Sequence, residues 1–207
     1  KKTKKLNKKQ LQKILKIKFS KKNILATFHP LTIKNSHNRK YINNILKALD
    51  QFSNINIFFT RSNADPDNLI INKEIVKYVK KNPKKCFYFN SLGMQKYLSL
   101  LKNVDCVIGN SSSGIIEAPS LSVPTINIGN RQSGRLKANS IIDCNYEVSS
   151  IVKAIRKIYS KKFSKELLNL KNPYGIGNSS KKSINILKKI DFKNIKTKVF
   201  FDLKKVL

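Results

Sequence analysis

From Asn23 onward, short apolar runs alternate with segments whose apolar residues recur at helical spacing, and this alternation most constrains the fold. The runs cover residues 24–28, 55–60, 86–89, 104–108 and 125–128, each the length of one strand. Helix-period segments lie between them over about 39–50, 68–80 and 94–102, and a short helix opens near Ser113. A final helical pair is expected over about 147–159 and 179–190. Strands this short and apolar, regularly separated by helices, specify parallel βαβ units with both faces of the sheet covered. The expected fold class is therefore α/β, a Rossmann-like doubly wound parallel sheet, over residues 23–190. Residues 1–22 read as an N-terminal linker and helix with Leu6, Leu11, Ile14, Leu15 and Ile17 on one stripe, and residues 191–207 as a C-terminal tail.

Charge is the second constraint. Lys and Arg total 43 against 11 Asp and Glu, a formal net charge of +32. Such a balance admits a polyanionic partner. All but Arg39, Arg61, Arg131, Arg135 and Arg156 are lysine, however, whereas specific readers of phosphate and base edges favour the arginine fork. The aromatic residues sit mostly in apolar runs and helix stripes, not interleaved with basic residues, so a nucleic-acid partner is disfavoured. No apolar run approaches the ~20 residues that cross a bilayer. The Lys-rich start leads into five apolar residues ending at His29-Pro30, too few for the apolar region of an export signal. Cys86, Cys106 and Cys144 are odd in number and lack CxxC spacing, which fits buried reduced thiols and a cytoplasmic location.

In a doubly wound sheet, ligands bind beyond the carboxyl ends of the strands. The segments there are His29-Pro30, Arg61-Ser62-Asn63-Ala64-Asp65-Pro66-Asp67, Asn90-Ser91-Leu92-Gly93, Gly109-Asn110-Ser111-Ser112-Ser113-Gly114 and Gly129-Asn130-Arg131-Gln132-Ser133-Gly134-Arg135. The fourth follows a strand and opens a helix. Its small residues admit an anion to the backbone N–H groups, and its hydroxyls add donors; a plain N-cap is the competing reading. Glu117 is placed either to close a capping box or to accept from a ribose diol. Arg131 and Arg135 offer a fork to an anion in a chain otherwise rich in lysine, or are surface arginines. His29 is placed to polarise or protonate a leaving phosphate, or to serve structure alone.

Several chemistries are not provided for. There is no GK[ST] for a nucleoside triphosphate and Mg²⁺, no His/Cys cluster for a metal, no GxSxG elbow and no evident acid/base carboxylate pair. Gly175-Ile176-Gly177 lacks the third glycine of a dinucleotide fingerprint, and no cofactor is implied.

The stretch Gly109-Asn110-Ser111-Ser112-Ser113-Gly114-Ile115-Ile116-Glu117-Ala118-Pro119-Ser120-Leu121, continuing through Pro124-Thr125-Ile126-Asn127-Ile128-Gly129 to Arg135, closely resembles the UDP-N-acetylglucosamine 2-epimerases, most of all their hydrolysing, sialic-acid-type branch. Thr27-Phe28-His29-Pro30, Asn63-Ala64-Asp65, Ser91-Leu92-Gly93 and Asn172-Pro173-Tyr174-Gly175 resemble family segments in the same order. The resemblance implies the C-terminal, UDP-binding half of a two-domain GT-B-like enzyme. It implies Ser111, Ser112 and Gly114 at the diphosphate, Glu117 at the ribose and Arg131 at phosphate or uridine. It also implies Leu92, Gly93 and Met94 beside the uracil, His29 in catalysis, and Asn63 and Arg135 as further substrate or phosphate contacts. The reaction implied eliminates UDP from a UDP-N-acetylhexosamine and hydrates the glycal, giving UDP and N-acetylmannosamine or a related 2-acetamido sugar. Its catalytic carboxylates are expected in a missing N-terminal domain, leaving the isolated 207-residue chain inactive, and a homo-oligomer is expected. Asn130 and Ser122 stand where the resemblance leads one to expect Asp and Gly. The competing functions are the donor domain of a glycosyltransferase and a basic nucleic-acid-binding module.

Overall fold

The apolar runs pair as a six-stranded, all-parallel sheet in the computed structural model, which describes residues 3–32, 37–175 and 177–192. Its strands are β1 (Lys22–Thr27), β2 (Ile55–Thr60), β3 (Cys86–Phe89), β4 (Cys106–Gly109), β5 (Thr125–Ile128) and β6 (Ile141–Cys144), in the order β3-β2-β1-β4-β5-β6. The chain winds outward from β1 through α2 (Asn38–Asp50) and α3 (Asn68–Lys81). It then returns through α4 (Gly93–Lys102) to lay β4 on the other side of β1, and continues through α5 (Ser112–Ile116) to β5 and β6. This is the doubly wound arrangement expected from the alternation.

Side-chain alternation along the strands builds a core on each face. Ile24, Ala26, Ile57, Phe59, Ile108 and Ile126 pack with Ile42, Ile45 and Leu49 of α2, Ile71 and Ile75 of α3, and Ile151 and Ile155 of α6 (Val148–Ile158). Leu25, Phe58 and Val107 face the other way, onto Leu100 and Leu101 of α4 and Leu11 of α1 (Lys8–Leu15). Each fully buried side chain of this size contributes about 1.5–3 kcal/mol. Phe58 is also flanked by Phe19 and Phe87, with ring centroids 5.4 and 5.3 Å away.

Helix α1 opens with a capping box, Asn7 accepting from the Gln10 N–H while the Gln10 side chain accepts from the Asn7 N–H. The left-handed Lys16 ends it. Leu11 and Ile17 are buried, but Ile14 is 52% exposed, so it leaves the expected stripe. Leu11 and Leu15 lie four residues apart on the inner face, and Ile17 reaches the core only after the turn at Lys16.

Neither β6, an edge strand only half buried, nor α7 (Lys161–Glu166), whose one buried residue is Phe163, is part of the sequence reading. The thiols are free, and burial pushes Cys86 and Cys144 up to about 12, so they are neutral packing groups. No helix among the described residues is long and apolar enough to cross a membrane. The described residues up to Gly175 form one compact unit and those from Gly177 a second; the latter contains α8 (Ser179–Leu187), an amphipathic helix with no buried residue, and the expected C-terminal tail lies outside the described residues from position 193 on.

Candidate functional site

Winding reverses between the adjacent strands β1 and β4, the switch point at which doubly wound sheets bind ligands. His29 and Asn110 stand at that point, and they are bonded to each other. The Asn110 side chain is fully buried; its Oδ1 accepts from the His29 backbone N–H at 2.7 Å and its Nδ2 donates to the His29 carbonyl at 2.8 Å. Its own N–H donates to the Thr27 carbonyl at 3.2 Å. Gly109, at φ 134°, permits this approach, because a Cβ there would fall 1.9 Å from the Thr27 oxygen.

The loops after β2 and β5 close on the same pair. The Asn63 backbone N–H donates to His29 Nδ1 at 3.1 Å, and the Asn63 side chain donates to the Asp65 carboxylate. Arg131 places its guanidinium 3.8 Å from that carboxylate and 3.4 Å from the Asn110 carbonyl, which also accepts from buried Gln132 Nε2 at 2.8 Å. Burial first, and the Arg131 charge second, lower the His29 pKa; the Asp65 charge and the Asn63 side chain oppose them. A groove of about 260 Å³ runs beside this cluster between Pro30, Leu31, Thr32, Asp65, Asn130 and Arg131.

Beyond Asn110, Ser111 caps α5, its hydroxyl accepting from the Ser113 N–H at 3.4 Å, and Ser112 opens the helix half-exposed. The Tyr97 hydroxyl donates to Ser113 Oγ at 2.6 Å. Gly114 is buried against Thr125. Glu117 is exposed at the C-cap of α5, too far along for a capping box, because a helix opening at Ser112 puts Gly114 at its third position. Asn172 Nδ2 donates to the Ile116 carbonyl at 2.9 Å and to Ser120 Oγ at 2.7 Å, bringing its turn against the end of α5.

Not every predicted residue joins the cluster. Leu92 is buried in the α4-side core, Gly93 has φ 62°, and Met94 is 71% exposed. Arg135 is exposed and tied in by its backbone N–H to the Gln132 carbonyl. Conversely, Asn110, Gln132 and Tyr97 join the site through contacts that no local sequence signal marks. Asn110 is embedded in the serine-rich run and Gln132 follows Arg131, but nothing local shows that either reaches back to β1 or β4. The five loops hold three arginines and not one lysine, although lysines lie on α1, α2, α3, α4, α6, α7 and α8. Among the described residues no group of His, Cys, Asp or Glu could hold a metal.

A family model described as UDP-N-acetylglucosamine 2-epimerase matches residues 1–188. The chain belongs to that family. It is 44% identical over 199 residues to the GDP/UDP-N,N'-diacetylbacillosamine 2-epimerase (hydrolyzing) of Campylobacter jejuni, covering 96% of this chain and 51% of that protein. It is 37% identical to the Escherichia coli polysialic acid biosynthesis protein P7, over 88% of this chain and 47% of that one. The chain thus spans about half the length of the curated relatives it matches, and corresponds to their C-terminal half. Its fold superposes on the Neisseria meningitidis UDP-GlcNAc 2-epimerase, solved bound to UDP-GlcNAc, with TM-score 0.62 and 20% identity, over 88% of this chain and 48% of that one. A glycosyltransferase C-terminal domain from Francisella tularensis has the same fold at TM-score 0.53 and 16% identity, over 81% of this chain and 89% of that one. Epimerase-family membership and a GT-B-type half-fold therefore agree.

Proposed function

We propose that this domain binds the UDP moiety of a UDP-2-acetamido sugar within a hydrolysing 2-epimerase. The observation that carries the reading is the convergence of His29, Asn63, Asn110 and Arg131 at the sheet's switch point, beside the Ser111–Ser112 turn. Arginine, hydroxyl and backbone donors suit a diphosphate, and the exposed Glu117 carboxylate suits a ribose diol. The family relatives named for hydrolysing epimerisation support the reaction class.

In that reaction a base removes the proton on the carbon bearing the acetamido group while the bond from the anomeric carbon to UDP breaks. Water then adds to the resulting double bond, with the proton delivered to the opposite face. This domain supports the second half of the first step: charge grows on the departing diphosphate, and His29, the serine turn and Arg131 are placed to stabilise it. The base is proposed to come from a domain matching the remaining half of the relatives. General acid–base groups contribute ~10²–10⁴-fold each, which phosphate binding cannot replace because it tightens substrate and product alike.

Calorimetry with UDP, UDP-N-acetylglucosamine and ADP tests the binding claim. UDP is expected to bind, with the sugar nucleotide no tighter; equal affinity for ADP removes the uridine-specific reading. Release of UDP from UDP-N-acetylglucosamine should require an added N-terminal domain carrying carboxylates. Turnover by the 207-residue chain alone overturns the division of labour.

A further inference from the structure

We infer that Asn110 is a positioning residue that fixes the orientation and tautomer of His29 and ties it to Arg131. The inference deepens the UDP-binding reading and rests on it for the identity of the ligand.

The geometry carries it. A backbone N–H has a proton to give and cannot accept one, so the Asn63 N–H can donate only to an unprotonated Nδ1. The neutral ring proton then sits on Nε2, and His29 presents one N–H donor on its far edge. For the Asn63 bond to form, the backbone at His29 must hold one orientation. Asn110 supplies that restraint by gripping both the N–H and the C=O of His29 across 81 residues of sequence. Its own carbonyl accepts from Arg131 and Gln132, so imidazole and guanidinium are referenced to the same residue. Asn110 is itself fixed by its N–H on Thr27 and by complete burial.

The chemistry follows from the tautomer. Arg131 and Asp65 are the charged groups acting on His29; burial and Arg131 outweigh Asp65 and the Asn63 side chain, and the balance favours the uncharged ring. A neutral Nε2–H can donate to a diphosphate oxygen through binding and bond breaking without first taking up a proton. His29 therefore acts as a fixed hydrogen-bond donor to the leaving group, and its contribution should be flat across neutral pH. An imidazolium acid would instead be lost as pH rises.

Long-range ¹H–¹⁵N correlation on the ¹⁵N-labelled full chain reads the tautomer directly, with His29→Gln separating its signals from those of His37. At pH 7.5 the Nε2-protonated pattern is expected for His29. In Asn110→Ala both tautomers should appear, and the Kd for UDP should rise about tenfold, the equivalent of one lost hydrogen bond. Asn110→Asp retains the size and one acceptor but opposes a carboxylate to the His29 carbonyl; if the alanine variant does not fold, this variant decides and should show the same mixing. An Nδ1–H pattern in the wild type, or a folded Asn110 variant with unaltered tautomer and UDP affinity, overturns the inference. Absence of UDP binding by the wild type would sink the nucleotide reading instead, leaving the tautomer measurement to decide the positioning role.

Discussion

Gly114 and Thr125 are packed so closely that the glycine hydrogen is a structural requirement: a Cβ at position 114 would lie 2.6 Å from Thr125 Cγ2, while Thr125 Oγ1 donates to the Gly114 carbonyl at 2.8 Å. The contact seats α5 on β5 and so sets where the Ser111–Ser112 turn stands. Gly114→Ala should cost about 1–3 kcal/mol, as overpacking does, and lower the Tm. Thr125→Ser removes the opposing methyl but keeps the hydroxyl bond. Thermal melts of the double variant should therefore show most of the loss recovered. An additive double variant would mean that the contact is not the cause.

Ser122 ends the 3₁₀ turn Ala118–Leu121 in the left-handed region, at φ 56° and ψ 32°. A Cβ is strained there and glycine is not. Ser122→Gly should stabilise the domain by about 0.5–1 kcal/mol in urea unfolding, with an unchanged m-value. A destabilised variant would show that the strain is already relieved by its surroundings.

Arg131→Lys retains the charge but gives up the planar fork that spans Asp65 and the Asn110 carbonyl. UDP affinity should fall by roughly 1–3 kcal/mol. Glu117→Gln should weaken UDP while leaving inorganic diphosphate nearly unaffected, because the residue lies at the far end of α5 from the serine turn. Calorimetric titration with both ligands checks the pair; equal losses for both ligands in Glu117→Gln would refute the ribose assignment.

His29 carries a pKa lowered from 6.5, chiefly by burial and then by Arg131. Its unfolded-state counterpart therefore binds a proton at a pH where the folded ring does not. The stabilisation from keeping it neutral is present above pH 6.5 and is lost as pH falls through 6.5 towards the folded-state value. Compared with His29→Gln, the wild type should lose relative stability on going from pH 7.5 to 5, measured by chemical denaturation at each pH. Parallel curves for the two proteins would contradict the depressed pKa.

What the sequence determined was the sheet and the rim. Residues 55–60, 86–89 and 125–128 are strands as read from their apolar runs, because a strand in a covered parallel sheet is apolar along its length and leaves a continuous signal. β6 left none: at the edge its residues are half-exposed, and Asp143 is turned outward to bond Asn127 and Lys137. α7 was equally silent, with Phe163 its only buried side chain. The polar loops after the strands were legible because strand ends are readable and parallel strands place those ends on one side. Which of their residues meet was decided by tertiary structure alone. The His29–Asn110 grip exists because β4 is inserted beside β1, and the Asn63 and Arg131 contacts exist because β2 and β5 flank that pair. Local sequence encodes backbone periodicity, whereas a hydrogen bond across 81 residues depends on strand order and on the sub-ångström register that packing of both cores imposes.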